Sequence, residues 1–428
     1  MEKHVVKSSL RSSFWDGVFA ACMMGLTQEY FTPYALALNA RPPEIAALTA
    51  WPNVANAFSQ LHSPDLVEKV RSRKKVICLF VFLQALMLVP ITALGFFLKG
   101  HGVLSLIVCV TLYTSFNAFA LPAWQSLMSD YLPHKKRGRY FGWRNKVLGT
   151  VTIACLLGAG VILQFFRQNP LRGFVLIFSA AALCRFACVY FLCRMYEQKH
   201  ASRADAYFSF LEFVRRAPES NYAKFVFFVS AFTFSVYLAS PFFSVFMLKD
   251  LKFDYLTYTV LVTTVSAATI LTIDRWGRTA DRIGNIKVLR VTAFFIASLP
   301  FCWIFNQHPV YLFFAQALSG IAWAGFNLCA LNFIYDAVTP AKRTRCIAYF
   351  SACNGTAVFL GSFAGGFLAS RLPIVFGWRL LTLFFISGLL RFFIALSLPA
   401  RIREVRAIEP ISTKDLLLRI IGLKSVAE

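Results

Sequence analysis

The chain has 428 residues, of which 58% are apolar, 16% aromatic and only 15% charged, where a soluble globular domain has about 45–50% apolar and about 25% charged residues. The apolar excess must face something other than water, which points to a bilayer and excludes a disordered chain, a coiled coil and a secreted disulfide scaffold. A net charge of +24, from 44 Lys and Arg against 20 Asp and Glu, would suggest nucleic acid on a soluble protein, so the placement of the positives decides between the two.

From the N-terminus, Lys3, Lys7 and Arg11 precede an apolar run through Phe19-Ala20-Ala21-Cys22 that faintly resembles a lipoprotein cleavage site. Asp16 interrupts the run, Phe19 fits poorly and apolarity continues to Leu38, so an uncleaved first span is expected. A membrane helix needs about 20 mostly apolar residues. Runs of this kind predict twelve spans, at 14–38, 44–61, 76–98, 103–128, 140–166, 174–192, 225–248, 255–273, 288–305, 310–334, 346–370 and 376–398. The second and eighth are expected to be the least apolar, carrying Trp51, Asn53 and Asn56 in one and Thr263, Thr264 and Ser266 in the other, as befits helices facing a wet interior. Nine of the eleven cysteines lie inside these runs, with Cys193 and Cys346 at their edges, and there is no CxxC and no zinc spacing. They read as small apolar helix residues. The six histidines fall in the tail or loops, and no metal or cofactor is expected.

With the N-terminus inside, strict alternation puts 32 of the Lys and Arg in seven cytoplasmic segments, 8 on the other side and 4 within spans. This positive-inside asymmetry places a multi-pass protein in the cytoplasmic (inner) membrane with both termini in the cytoplasm. It removes nucleic acid as a partner, because the positives are shared among short segments rather than gathered in one patch.

The two halves repeat. Asp130 and Arg139 at the end of the fourth span have the spacing of Asp336 and Arg345 at the end of the tenth. Gly149 matches Gly355, Thr32-Pro33-Tyr34 matches Ser240-Pro241-Phe242, and Arg185-Phe186 in the sixth span matches Arg391-Phe392 in the twelfth. Internal repeats are common in secondary transporters. The expected organisation is a six-helix bundle over 1–193, a cytoplasmic linker over 194–224 with an amphipathic stretch at 204–215 (Tyr207, Phe208, Leu211, Val214), a second bundle over 225–398 and a cytoplasmic tail over 399–428. In the tail, Ser412 to Asp415 reads as a helix cap, followed by an apolar stripe of Leu416, Leu417, Ile420 and Ile421 on the inner leaflet.

After the eighth span the chain reads Gly277-Arg278-Thr279-Ala280-Asp281-Arg282-Ile283-Gly284-Asn285-Ile286-Lys287, which resembles the G-x-x-x-D-R-x-G-x-x-K loop of the major facilitator superfamily. With the twelve spans and the repeat, the resemblance runs from about Ser12 to Leu398. It implies an all-α integral membrane fold, twelve transmembrane helices in two pseudo-symmetric six-helix bundles that rock about a central path. It also implies a latch in which Asp281 meets the N-terminus of the eleventh helix and Arg282 pairs with Asp336, with Gly277 and Gly284 allowing tight turns. The first-half copy, Asp65 to Lys75, lacks both glycines and the D-R pair, so any latch there uses other contacts, such as Glu68 or Asp130 with the basic cluster. The fifth span lacks the Gly-Pro pair of the family's drug/proton antiporters.

Charges in hydrocarbon are costly and are functional candidates. Glu29 lies past the middle of the first span. Withheld from water it could exchange a proton or bind a cation; hydrated near the outer headgroups it is structural. Asp16 is expected to cap or to pair with Arg144 or Lys146. Those two could attract an anionic substrate or simply snorkel, and Arg185 and Arg391, on helices peripheral in this family, are expected to pair structurally or snorkel. Among spans that line the cavity in this family, Tyr34, Asn56, Asn117, Gln125, Tyr237, Gln316, Trp323, Asn327 and Asn354 are the candidate substrate contacts. Gly355, Gly361, Gly365 and Gly366 read as close-packing positions. The expected function is secondary active transport of a small solute by alternating access, as symporter or antiporter, coupled to protons or another ion, by a monomer among membrane lipids. A non-transporting or lipid-scrambling member of the same fold is the alternative. No GxxxxGK, HExxH or GxSxG occurs, so an enzyme is not expected.

Overall fold

The computed structural model describes residues 3–97, 102–131, 134–197, 220–339 and 343–405. Every expected span falls mainly on helix, the twelfth beginning at Arg379 rather than 376, and the described residues contain no strand. In the first half the helices are α1 (Lys3–Thr27), α2 (Phe31–Ala37), α3 (Pro42–Val70), α4 (Arg73–Phe97), α5 (Gly102–Tyr131), α6 (His134–Phe165) and α7 (Pro170–Cys193). In the second half they are α8 (Asn221–Tyr237), α9 (Phe242–Val245), α10 (Tyr255–Ile283), α11 (Asn285–Phe305), α12 (Pro309–Ala337), α13 (Arg343–Arg371) and α14 (Arg379–Ser397). The amphipathic stretch at 204–215 and the tail segment at 412–421 lie outside the described residues.

Ten of these helical stretches are long and apolar enough to cross a bilayer among the described residues. The first and second spans are the other two, because Lys, Arg, Asp, Glu and Gln side chains dilute them. The expectation for the eighth span needs correcting. Its mean hydropathy reaches 1.7, while the eleventh has the lowest of the ten at 1.3. The threonines of α10 are outweighed by the Val, Leu, Ile and Ala around them, whereas Ser351, Asn354, Thr356 and four glycines lower α13.

The local chemistry that sets the boundaries repeats too. Pro opens α3, α7 and α12, where a missing N–H costs nothing. Glu44 returns to accept the Arg41 N–H at 2.7 Å, so one free donor at the start of α3 is satisfied. Pro90 in α4 and Pro300 in α11 sit inside the third and ninth spans. The first span breaks at a 3-10 turn, Gln28–Tyr30, and the seventh breaks between Tyr237 and Phe242, just before Pro241 ends the gap.

By contact the chain divides into two compact units. The first holds residues 1–204 together with 236–263 and 351–383; the second holds 205–235, 264–350 and 384–428. The division cuts across the repeat, because one end of several second-half helices packs on the first half. In the first unit α4 packs on α5 and α7, α3 on α5, and α1 on α6 and α7. Val76, Ile77, Val81, Leu127, Met128 and Leu192 form a buried cluster there. In the second unit α11 packs on α12, and Phe225, Phe228, Phe232, Phe326 and Phe333 stack into a buried aromatic core. All eleven cysteines are free thiols.

Candidate functional site

Inside the first unit a cavity of about 530 Å³ opens among α1, α3, α4, α5, α6 and α7. Its polar lining is Asp16, Gln28, Asn56, Gln84, Asn117, Arg144 and Arg185, and its apolar walls include Met23, Met24, Leu121 and Leu148. Arg185 is 5% exposed and does not snorkel. It donates from Nε to Gln84 Oε1 at 2.8 Å, from Nη2 to the same oxygen, and from Nη2 to Asn117 Oδ1 at 3.3 Å. A 24-residue helix whose centre carries an arginine can hold it only by turning it into the protein, because lipid offers no partner. Arg144 is equally buried, donates to the Ser13 carbonyl at 3.1 Å, and lies 4.9 Å over the Trp124 ring. The backbone of Gly17 makes the room: a Cβ there would come within 2.3 Å of Arg144 Nη2. Asp16 lines the same cavity within electrostatic reach of both arginines.

A second polar place surrounds Glu29. Its side chain is exposed. Tyr258, from α10, donates to the Glu29 carbonyl at 2.8 Å, and the Tyr30 and Thr259 hydroxyls meet at 2.9 Å. Tyr30 also donates to the Leu156 carbonyl at 2.7 Å. Tyr30, Tyr237 and Tyr258 lie within electrostatic range of the carboxylate. Alongside this seam Gly366 faces α3, where a Cβ would come within 2.5 Å of Ala46 Cβ and 3.4 Å of Pro43 Cα. First-half and second-half helices therefore touch here backbone to backbone.

The loops at the opposite helix ends carry a third arrangement. In the second unit Gly284 adopts φ +90° between α10 and α11. In the first unit the equivalent turn between α3 and α4 is made by Arg71 at φ +56°, so the lost glycine is replaced by a strained arginine. Gly277 has only Leu328 within 4 Å of an added Cβ, at 3.8 Å. Gly284→Ala should therefore lower thermal stability by about 1–2 kcal/mol through left-handed strain, and Gly277→Ala should leave the melting temperature within a degree or two; equal effects would contradict the assignment. Asn285 donates to Asp336 Oδ2 at 2.8 Å. Asp281 and Arg282 are exposed.

Glu197 and Glu404, which follow the sixth and twelfth spans, do the same job in each unit. Glu197 accepts from the Ser72 hydroxyl and the Arg73 N–H, both at 2.6 Å, and pairs with the Arg73 guanidinium at 3.6 Å. Glu404 accepts the Ile286 N–H at 2.8 Å. Each puts a carboxylate at a helix N-terminus, where it offsets the free N–H groups.

The sequence-derived candidates scatter. Asn56 and Asn117 line the cavity, and Tyr237 stands by Glu29. Asn354 is half-buried with an unpaired buried Oδ1. Gln125 and Asn327 are exposed, while Gln316 and Trp323 are half-buried in the second unit, Trp323 edge-on to Phe326. Tyr34 is no cavity residue: it is fully buried between Phe174 and Phe178 and donates to the Ile91 carbonyl at 3.0 Å. Sequence reasoning missed Gln84, Glu197 and Glu404. Gln84 is the one amide in the third span, and the two glutamates recur at matching places after the sixth and twelfth; those were the available signals.

The family model described as Major Facilitator Superfamily matches residues 17–224 and 225–420, two stretches that meet between the repeats. Multidrug resistance protein 1 of Bacillus subtilis (strain 168) is 32% identical over 103 residues, 23% of this chain and 26% of that protein. Multidrug resistance protein 2 of the same organism is 25% identical over 119 residues, 27% and 30% respectively, so the matches span less than a third of either relative. Among solved structures, the nucleoside transporter NupG superposes with a TM-score of 0.68 at 14% identity over 92% of this chain and 98% of that one. A D-xylose-proton symporter gives 0.69 at 11% identity over 94% and 98%. At these identities the likeness is one of fold.

Proposed function

We propose that this chain, which belongs to the Major Facilitator Superfamily, is a secondary transporter that moves a small solute by alternating access and couples the movement to protons through Glu29. The observation that carries this is the seam itself. A titratable carboxylate stands where Tyr258 and Thr259 of the second half bond to residues 29 and 30 of the first. Any movement of the seam that withdraws this carboxylate from water costs free energy while it is ionised, so its ionisation opposes closure. The 32:8 charge asymmetry supports the cytoplasmic membrane with both termini inside, which places residues 29 and 30 toward the outer side. At the inner ends, Asp281, Arg282, Asp336, Gly277 and Gly284 form the latch of the outward-open state, with Asn285 as an added partner of Asp336. The protein acts as a monomer on its solute, without chemistry.

The test needs no known substrate. Spin labels placed on α3 and α13 beside the seam report its width. The wild type should open on moving from mildly acidic to mildly alkaline buffer, as Glu29 ionises, and Glu29→Gln should stay closed at both. A variant with the same pH response as the wild type would contradict coupling through Glu29.

A further inference from the structure

The cavity of the first unit carries a charge it does not itself neutralise. It holds two guanidiniums, Arg144 and Arg185, and one carboxylate, Asp16, which approaches neither closely enough to form an ion pair among the described residues. The guanidiniums are 6% and 5% exposed. Arg144 Nε and Trp124 Nε1 are buried with no hydrogen-bond partner, and Arg185 bonds Gln84 and Asn117 through Nε and Nη2. Buried donors are nearly always satisfied, and buried charge is normally paired. The unused donors of Arg144 and Trp124, beside the guanidinium that Gln84 and Asn117 hold in place, mark a place for a missing acceptor.

We infer that this cavity binds a small organic anion of single charge, its acidic group against Arg144 and Arg185 and its apolar body against the wall of Met23, Met24 and Leu121. One added negative charge brings the cavity to neutrality. The volume of about 530 Å³ is in the range of small-molecule sites, and the apolar wall suits an organic body better than an inorganic ion. The inference deepens the transport reading and rests on it for calling the anion a substrate.

The experiment is thermal unfolding of the purified protein in a neutral maltoside detergent, titrated with 3-phenylpropanoate, with its amide, and with lysophosphatidylglycerol. The carboxylate should stabilise saturably, and the amide should need at least about tenfold more for the same shift. Arg144→Gln and Arg185→Gln should each weaken the carboxylate about tenfold or more, Arg144→Lys should retain part of the effect, and Asp16→Asn should tighten binding. Tightening cannot come from misfolding, so it separates a site from a merely structural cluster. Equal response to acid and amide, no saturable response to either, or a response to the lysolipid alone would overturn the inference. Binding in detergent does not require transport, so a charge-selective binder whose seam never opens would defeat the transport reading and leave the site standing.

Discussion

Arg185→Leu should destabilise the folded protein by about 3–5 kcal/mol, the usual result of removing one member of a buried charged network. The leucine would leave Gln84, 2% exposed, without its donor and Asn117 without one of its own. It would also leave Asp16 with Arg144 as its only cation within reach. An unsatisfied buried amide costs about 1–3 kcal/mol. The double variant Arg185→Leu with Gln84→Leu should recover part of the loss, since replacing both partners by apolar groups is far cheaper than orphaning one. Thermal unfolding of the wild type, both singles and the double gives the coupling directly. A single variant as stable as the wild type would mean that Arg185 is not a buried partner.

Gly366→Leu should act on conformation rather than on folding. The new side chain would enter a gap already closed to 2.5 Å from Ala46 Cβ, an overpacking worth about 1–3 kcal/mol. The collision exists only while the seam is closed, so the population should move toward the open state by roughly five- to 150-fold. Gly158, with nothing within 4 Å of an added Cβ, supplies the control: Gly158→Ala should leave the seam distances unchanged. A Gly366→Leu protein with wild-type seam distances would show that α3 and α13 do not separate.

Most of the fold could be read from the sequence because the bilayer imposes it. Each crossing needs a run of apolar residues long enough to span hydrocarbon, so the helices at 76–98 or 288–305 could hardly be missed. The repeat was legible for a similar reason: Pro241 and Arg391 echo Pro33 and Arg185, residue types that are rare within spans. The site was legible only in part. Hydropathy gives the depth of Arg185 but not its azimuth, and a rotation of half a turn separates snorkelling from a bond to Gln84. Tyr34 failed in the opposite direction, an amphipathic side chain whose hydroxyl found the Ile91 carbonyl in the core. Arg71 was hidden because a left-handed turn normally announces itself by glycine, and here it does not. Nothing local to Glu29 announced the 3-10 break in the first span or the approach of Tyr258, 229 residues away.

The resemblance to multidrug resistance proteins is confined to about a quarter of the chain, and the fifth span lacks the Gly-Pro pair expected of drug/proton antiporters. Paired guanidiniums in a buried cavity favour an anionic solute over the cationic drugs that a Glu29-centred site alone would suit.

Double electron–electron resonance on two label pairs in one reconstituted sample series is the most direct measurement: one pair across the Glu29 seam on α3 and α13, the other at the inner ends beside Gly284 and Arg71. The two distances should change in opposite senses, the seam widening as the inner pair narrows, in the wild type with pH and in Gly366→Leu constitutively. Distances that stay fixed, or that widen together, would contradict movement of the two halves about an enclosed path.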